Sequence, residues 1–271
     1  MIIDAIKNTW KNENKNDEAA IKLWNEKADY FGSYNLEEVQ NDRFIQIIRE
    51  MDLIDKNSTI LDVGCGAGKY CTALADDCFK AIGTDLSPKM IEFAEKKAME
   101  YGKKNVEFRC DDWLKLDIEK EGLASKFDLV MACMTPALCD YTTFEKFINC
   151  SKNAGIFCSG TRRTDSVTDE LDKMLGIKKT KRNSENSVLY AFNILWDKGY
   201  YPNIEYVEQS WDSAEEVDKA FNVYINRCKI KHNISKEQEE MVRKYLEDIS
   251  QDQIVYEKIK TVKAIVYWKN N

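Results

Sequence analysis

The 271-residue chain predicts an α/β protein with a doubly wound, mostly parallel sheet, and three observations carry that reading. Residues 58–70, STILDVGCGAGKY, pass from an apolar strand (Ile60, Leu61, Val63) through glycines at 64, 66 and 68 into an amphipathic stretch from Lys69 to Asp76. From there to residue 163, short apolar runs of strand type alternate with amphipathic helical runs, the pattern of strands joined by helical crossovers. A second apolar strand, Phe79 to Thr84, ends on Asp85, where ligand-facing groups collect in open α/β sheets.

A strand that enters a glycine turn and then a helix points backbone N–H groups at a ligand, and alternate glycines let that ligand approach the main chain. A pyrophosphate turn has the spacing G-x-G-x-x-G. This chain reads G-x-G-x-G, with Lys69 where the last glycine would stand, and Asp62 lies two residues before the first glycine. A carboxylate there is unfavourable beside a pyrophosphate and favourable beside an ammonium or sulfonium group. The spacing therefore favours a cationic ligand carrying a sugar, S-adenosylmethionine (SAM), over NAD.

ILDVGCGAG resembles the first motif of class I SAM-dependent methyltransferases of the small-molecule type, and the resemblance extends over roughly residues 20–160. It implies SAM as cofactor, S-adenosylhomocysteine as product, and a small-molecule methyl acceptor. It also implies a seven-stranded sheet whose last strand is antiparallel and inserted between the fifth and sixth. The expected organisation is one domain over 1–271: an N-terminal helical cap (1–57), a SAM-binding core (58–163), helices with the sixth strand and a helical insertion (164–258), and the last strand (259–268).

The elements follow in order. Glu18 to Tyr34 reads as a helix with Trp24, Ala28 and Phe31 at helical spacing, and Asn35 to Asp55 as a second. In the resembled proteins the first such helix folds over the cofactor, so Tyr30 or Phe31 is expected at the methionine end; plain core packing is the alternative. After Asp85, Ser87 suits an N-cap, Pro88 the first helical position and Gly102 the C-cap. Asn105 to Cys110 is the third strand, followed by Asp111, Asp112 and Trp113.

The fourth strand, 127–133, opens onto Met134, Thr135 and Pro136, where nucleobase and glutamine methyltransferases carry an [ND]-P-P-[YF] box. Its absence argues against planar amine acceptors. Thr142 to Asn153 reads as a helix and 155–163 as the fifth strand, leaving Arg162 and Arg163 at its carboxyl end. These arginines either clamp an acidic acceptor group or answer Asp165, Asp169 and Glu170. Asp165 to Gly176 and Ser187 to Lys198 are helical, 204–211 is the sixth strand, 213–250 holds two further helices, and 261–268 is the last strand.

The expected cofactor residues are Asp62, Gly64, Cys65, Gly66 and Gly68 at the turn, then Asp85, Leu86, Ser87 and Met90. Asp111, with Asp112 as its alternate, is expected at the adenine, and Trp113, Met134 and Tyr30 complete the set. Arg162, Arg163 and Thr135 are expected at the acceptor.

Net charge is −7, and no Lys/Arg cluster exceeds a solvated helix face, which argues against a nucleic-acid partner. The N-terminal stretch is too polar for a secretory h-region, and no apolar run approaches 18 residues, so no membrane span is expected. Nine scattered cysteines without a C-x-x-C pair predict a reduced, cytoplasmic protein. With His232 the one histidine, no metal site and no histidine base are expected. Arsenite methyltransferases hold arsenic on a set of cysteines, and Cys110, Cys133 and Cys139 invite that comparison; burial in strands is the alternative.

Overall fold

The computed structural model describes residues 2–177 and 183–270. Seven strands form one sheet: β1 (Thr59–Val63), β2 (Lys80–Asp85), β3 (Val106–Cys110), β4 (Phe127–Cys133), β5 (Ser151–Asp165), β6 (Asn203–Glu216) and β7 (Ile254–Lys269). Their order is β3-β2-β1-β4-β5-β7-β6. β1 to β5 pair in parallel, and β7 runs antiparallel between β5 and β6. This is the class I methyltransferase arrangement expected from the sequence.

Helices cover both faces of the sheet. On one face α1 (Ile2–Thr9), α7 (Tyr141–Asn149) and α9 (Asn183–Asp197) enclose Trp10, Phe144, Phe147, Phe157 and Trp268. On the other, α3 (Leu36–Gln40), α4 (Arg43–Glu50) and α5 (Lys69–Leu74) pack Phe44, Ile47, Ile48 and Tyr70 onto Ile60, Met131, Ile156 and Ile265. α2 (Asp17–Gly32) and α6 (Pro88–Glu100) meet beside the glycine turn through Trp24, Ala28, Met90 and Phe93. α8 (Thr168–Met174), α10 (Val217–Lys231) and α11 (Lys236–Ile249) form a further apolar cluster on the far ends of the long antiparallel strands.

Local chemistry sets the boundaries. Ser87 accepts from the Met90 N–H (3.1 Å) with Pro88 in the first helical position. Ser235 and Gln238 form the capping box that opens α11. Two expected helices end differently. The stretch 35–55 is broken into α3 and α4, because Asp42 is extended and its side chain starts a new helix by accepting from Phe44 N at 2.9 Å. The helix expected to reach Asn153 stops at Asn149, since Ser151 already pairs with Phe127 of β4.

The long strands also exceed their expected spans. β6 and β7 stay paired from Asn203↔Tyr267 to Glu216↔Ile254, making an antiparallel arm whose far end packs with α8, α10 and α11. Within the part of β5 that still pairs with β4, Trp268 of β7 lies over Gly155, and a Cβ built on that glycine would fall 2.1 Å from Cζ2 of the ring. Gly155→Ala is expected to destabilise the fold by roughly 3 kcal/mol through overpacking. Urea unfolding checks this, and a loss below about 0.5 kcal/mol, the scatter of surface substitutions, would refute the packing account.

Candidate functional site

The site forms where β1 and β2 end side by side. Gly64, Gly66 and Gly68 all have positive φ (70°, 55° and 75°), a conformation an L-residue resists. Close approach adds a second reason at two of them. A Cβ on Gly64 would sit 1.9 Å from Thr135 Oγ1, and one on Gly68 would sit 2.7 Å from the Phe108 ring. Gly66 differs: its nearest neighbour would be Met90 Sδ at 3.9 Å. The turn is therefore packed from below at its ends and open at its centre.

Asp85 ties this turn to β2. One carboxylate oxygen accepts from Gly66 N (2.9 Å) and the other from Ser87 N (2.9 Å). Burial pushes its pKa up, and these two amides, with that of Leu86, pull against it. A carboxylate offers about four lone-pair sites, so the two amides leave acceptor capacity for a pair of hydroxyls. Cys65 is buried beside Gly83, and its amide and that of Gly64 both donate to Thr84 O (2.9 and 2.8 Å).

Asp62 does not face the open side of the turn. It is 1 % exposed, and its carboxyl turns toward Cys71 Sγ, 3.8 Å away at α5. Burial, then the neighbouring Cys133 and Asp85, push its pKa up to about 8. A positive charge placed above the turn would act on a carboxyl already held in low dielectric, where Coulomb terms are strong.

At the end of β3, Asp111 N donates to Asp85 O (3.0 Å), and the Asp111 carboxylate pairs with Arg109 Nε at 2.8 Å. Asp112 accepts from Leu114 N and pairs with Lys115 (2.9 Å). Trp113, expected among the cofactor residues, has its ring in the core. Its indole is buried in the core with Trp10 and Phe144, and Nε1 donates to Thr143 O (3.2 Å). Three residues beyond the end of β3, its ring finds a core partner.

α2 lies over the turn through Trp24 and Ala28. Tyr30 points elsewhere, because two residues beyond Ala28 is about 200° around the helix. It is 44 % exposed and edge-on to Phe31. Phe31 shares the stripe with Trp24, their rings 6.2 Å apart. Asn25 is a contact that the sequence did not single out: its Oδ1 accepts from Ser87 Oγ (2.6 Å), joining α2 to the N-cap of α6. Helical spacing from Ala28 places Asn25 on the inner face, but nothing local marks its partner.

At the end of β4, Met134 adopts a φ of +54°, donates its N–H to Cys158 O (2.9 Å) and lies against Gly160. Thr135 caps the following turn by accepting from Ala137 N (3.1 Å) while it packs on Gly64.

The two arginines part company. Arg162 occupies a bulge in β5 with φ +48° and is exposed. Arg163 pairs with Asp165 (3.2 Å) and lies 5.5 Å over the Trp211 ring. Asp165 is 1 % exposed and also meets Arg227 (3.4 Å). Burial pushes Asp165 up, but a hydrogen bond from Glu257, the Arg227 charge and Thr168 outweigh it and hold the carboxyl well below its usual range. Arg163 thus answers Asp165, the second of the two sequence readings, and Asp165 itself was not expected to be a buried hub.

The three cysteines do not gather. Cys110 is exposed at the end of β3 near Leu86 O, Cys139 is half-buried before α7, and Cys133 faces Tyr70. Among the described residues no group of three or more His, Cys, Asp or Glu side chains is placed to hold a metal ion.

Strand order, glycine turn and strand-end acid together define a methyltransferase fold. The profile of a family described as a methyltransferase domain matches residues 54–205, more than half of the chain, and the chain belongs to that family. The class I SAM-dependent methyltransferase resemblance read from the sequence therefore holds, and SAM is the methyl donor of that class.

Among curated relatives, human tRNA (uracil-5-)-methyltransferase homolog A is 38% identical over 64 residues, 24% of this chain and 10% of that protein. Ubiquinone biosynthesis O-methyltransferase of Leptothrix cholodnii is 27% identical over 124 residues, 44% of this chain and 48% of that protein. The matched stretches thus span from a tenth to about half of these relatives' length. Among solved structures, Bacillus subtilis YcgJ superposes with a TM-score of 0.48 at 16% identity, covering 84% of this chain and 99% of that one. Magnesium protoporphyrin IX methyltransferase from Synechocystis PCC 6803, solved with bound S-adenosylhomocysteine, gives 0.46 at 16% identity, covering 85% and 82%.

Proposed function

We propose that the protein transfers the methyl group of SAM to a small-molecule acceptor. The observation that carries this reading is the hydrogen bond between Gly66 N and Asp85. It joins the open centre of the glycine turn to a carboxylate with spare acceptor sites, a fit for an adenosyl group whose ribose lies across the two strand ends. SAM brings an activated methyl on a sulfonium leaving group. The chain's part is to bind, orient and exclude water. Asp85 accepts from the ribose hydroxyls, Asp111 or Asp112 holds the adenine amino group, and Met90 flanks the turn. α2 covers the donor through Trp24, Ala28 and Phe31, leaving the ends of β4 and β5 to receive the acceptor. Orientation of this kind is worth roughly 7–11 kcal/mol.

The net charge of −7 supports a small acceptor over a nucleic acid, since a phosphate backbone calls for a basic surface. No described helix is long and apolar enough to cross a membrane, and nine free cysteines fit action in a reducing cytoplasm. A SAM-binding protein without turnover is the competing reading, because a cofactor site alone does not prove an acceptor site.

Calorimetric titration with SAM, S-adenosylhomocysteine and NAD tests the proposal. Micromolar binding of both adenosyl ligands and none of NAD is expected, followed by S-adenosylhomocysteine release in an acceptor screen. Binding of NAD alone would overturn it.

A further inference from the structure

Cys133 ends β4 and Cys158 is its Cα partner on β5. Paired residues of neighbouring parallel strands lie about 4.8 Å apart with side chains on the same face. That separation falls within the roughly 4.4–6.8 Å span that a disulfide bridges. Around Cys133 the side chains form a continuous polar group in the apolar layer under α4 and α5. Its thiol and Tyr70 Oη are hydrogen-bonded at 3.3 Å, and Tyr70 donates onward to Asp42 (3.2 Å). Lys263 Nζ stands 3.8 Å from the same Asp42 oxygen, and Lys69 Nζ lies 4.5 Å over the Tyr70 ring. Cys133 is half-buried, whereas Cys158 is 1 % exposed.

From this arrangement we infer that Cys133 and Cys158 are an oxidisable dithiol, Cys133 reacting with a small hydroperoxide and Cys158 resolving the product. The Cys133 thiolate attacks a peroxide oxygen, the O–O bond breaks, and water (or an alcohol) leaves with a proton, giving a sulfenic acid on Cys133. The Cys158 sulfur then attacks that sulfur, the hydroxyl departs as water, and the S–S bond closes. Two thiols lose two protons and two electrons, and the hydroperoxide takes up both.

The environment explains why this thiol reacts among nine. Burial alone would push Cys133 up; a hydrogen bond from Cys158 and the charges of Lys263 and Lys69 oppose it and help bring it down to about 7. The other eight thiols are all pushed up, seven of them chiefly by burial and Cys158 chiefly because it donates to Cys133, with burial second. The thiolate is the nucleophile, so reactivity follows this ordering more than exposure does. The inference rests on register and thiol environment, and it holds whether or not the protein turns over SAM.

The test treats reduced full-length protein with hydrogen peroxide, followed by intact mass and peptide mapping after alkylation. The wild type is expected to lose the mass of two hydrogens and yield a linked Cys133–Cys158 peptide. At pH 7 Cys133 should alkylate with iodoacetamide roughly tenfold faster than the exposed Cys110. In Cys158→Ser the reaction should stop at a sulfenic acid on Cys133, trapped by dimedone; in Cys133→Ser both products should vanish. Circular dichroism of each variant separates loss of the thiol from loss of the fold. A folded wild type that oxidises at Cys110 first, or that gives no linked peptide while Cys133 is sulfenylated, overturns the inference.

Discussion

Asp85→Ala should weaken binding of SAM and S-adenosylhomocysteine by about 100-fold, or roughly 2.7 kcal/mol. Two effects add. In the proposed binding mode the carboxylate would supply charge-assisted acceptance to the ligand's hydroxyls, worth about 1.5–3 kcal/mol. It also holds the turn in shape, because its oxygens are the partners of Gly66 N and Ser87 N, both at 2.9 Å. With alanine the Gly66 amide loses its partner where the chain is already held at φ +55°. Asp85→Asn separates the two effects. One amide oxygen still accepts from Gly66 N, so the turn persists, while the charge and one acceptor are lost; a deficit of about tenfold is expected. Calorimetry with S-adenosylhomocysteine reads both variants. Equal losses for Ala and Asn would mean that Asp85 acts on the ligand alone, and unchanged affinity in both would remove it from the site.

How much of this was legible in the sequence depends on whether the cause is local. The turn at 64–68 was readable because positive φ selects glycine, and Asp85 because a strand end followed by a capping serine and proline fixes its own boundary. The antiparallel last strand came through the family resemblance, since no pattern within 261–268 states its neighbours. What escaped depends on distant partners. Trp113 finds Thr143 O across the core, and Asn25 finds Ser87 from another helix. Tyr30 lies off the inner stripe of α2 for a local reason, the angular offset of two residues from Ala28 on a helix. Arg163 and Cys133 are what they are because of Asp165 and Cys158, residues whose burial emerges only when β5 and β7 pair.

Asp62→Asn is expected to make the folded protein more stable at neutral pH and yet bind SAM less well. The carboxyl moves from an ordinary 3.8 in the unfolded chain to about 8 in the folded one, chiefly because burial penalises its charged form. The folded state therefore holds the proton more tightly between those values, and stability falls as pH rises from about 4 to 8, then levels off. At pH 7 the difference amounts to about 4 kcal/mol, at 1.36 kcal/mol per pKa unit. An asparagine carries no such cost, though its amide needs a donor contact of its own, so a net gain of about 2 kcal/mol is expected in urea unfolding at pH 7, shrinking toward zero at pH 4. Binding has the opposite sign. A sulfonium or ammonium brought over the turn favours ionised Asp62, so association below pH 8 should release a proton and strengthen as pH rises, and the asparagine variant should lose that slope. Calorimetry in two buffers of different ionisation enthalpy counts the released proton directly. A wild-type protein whose stability is flat from pH 4 to 8 would show that this carboxyl is not carried uncharged into the core. Proton-neutral binding would show that no ligand cation reaches its field. If both outcomes hold, the same buried carboxyl near the end of β1 lowers stability at neutral pH and favours a cationic ligand over the turn.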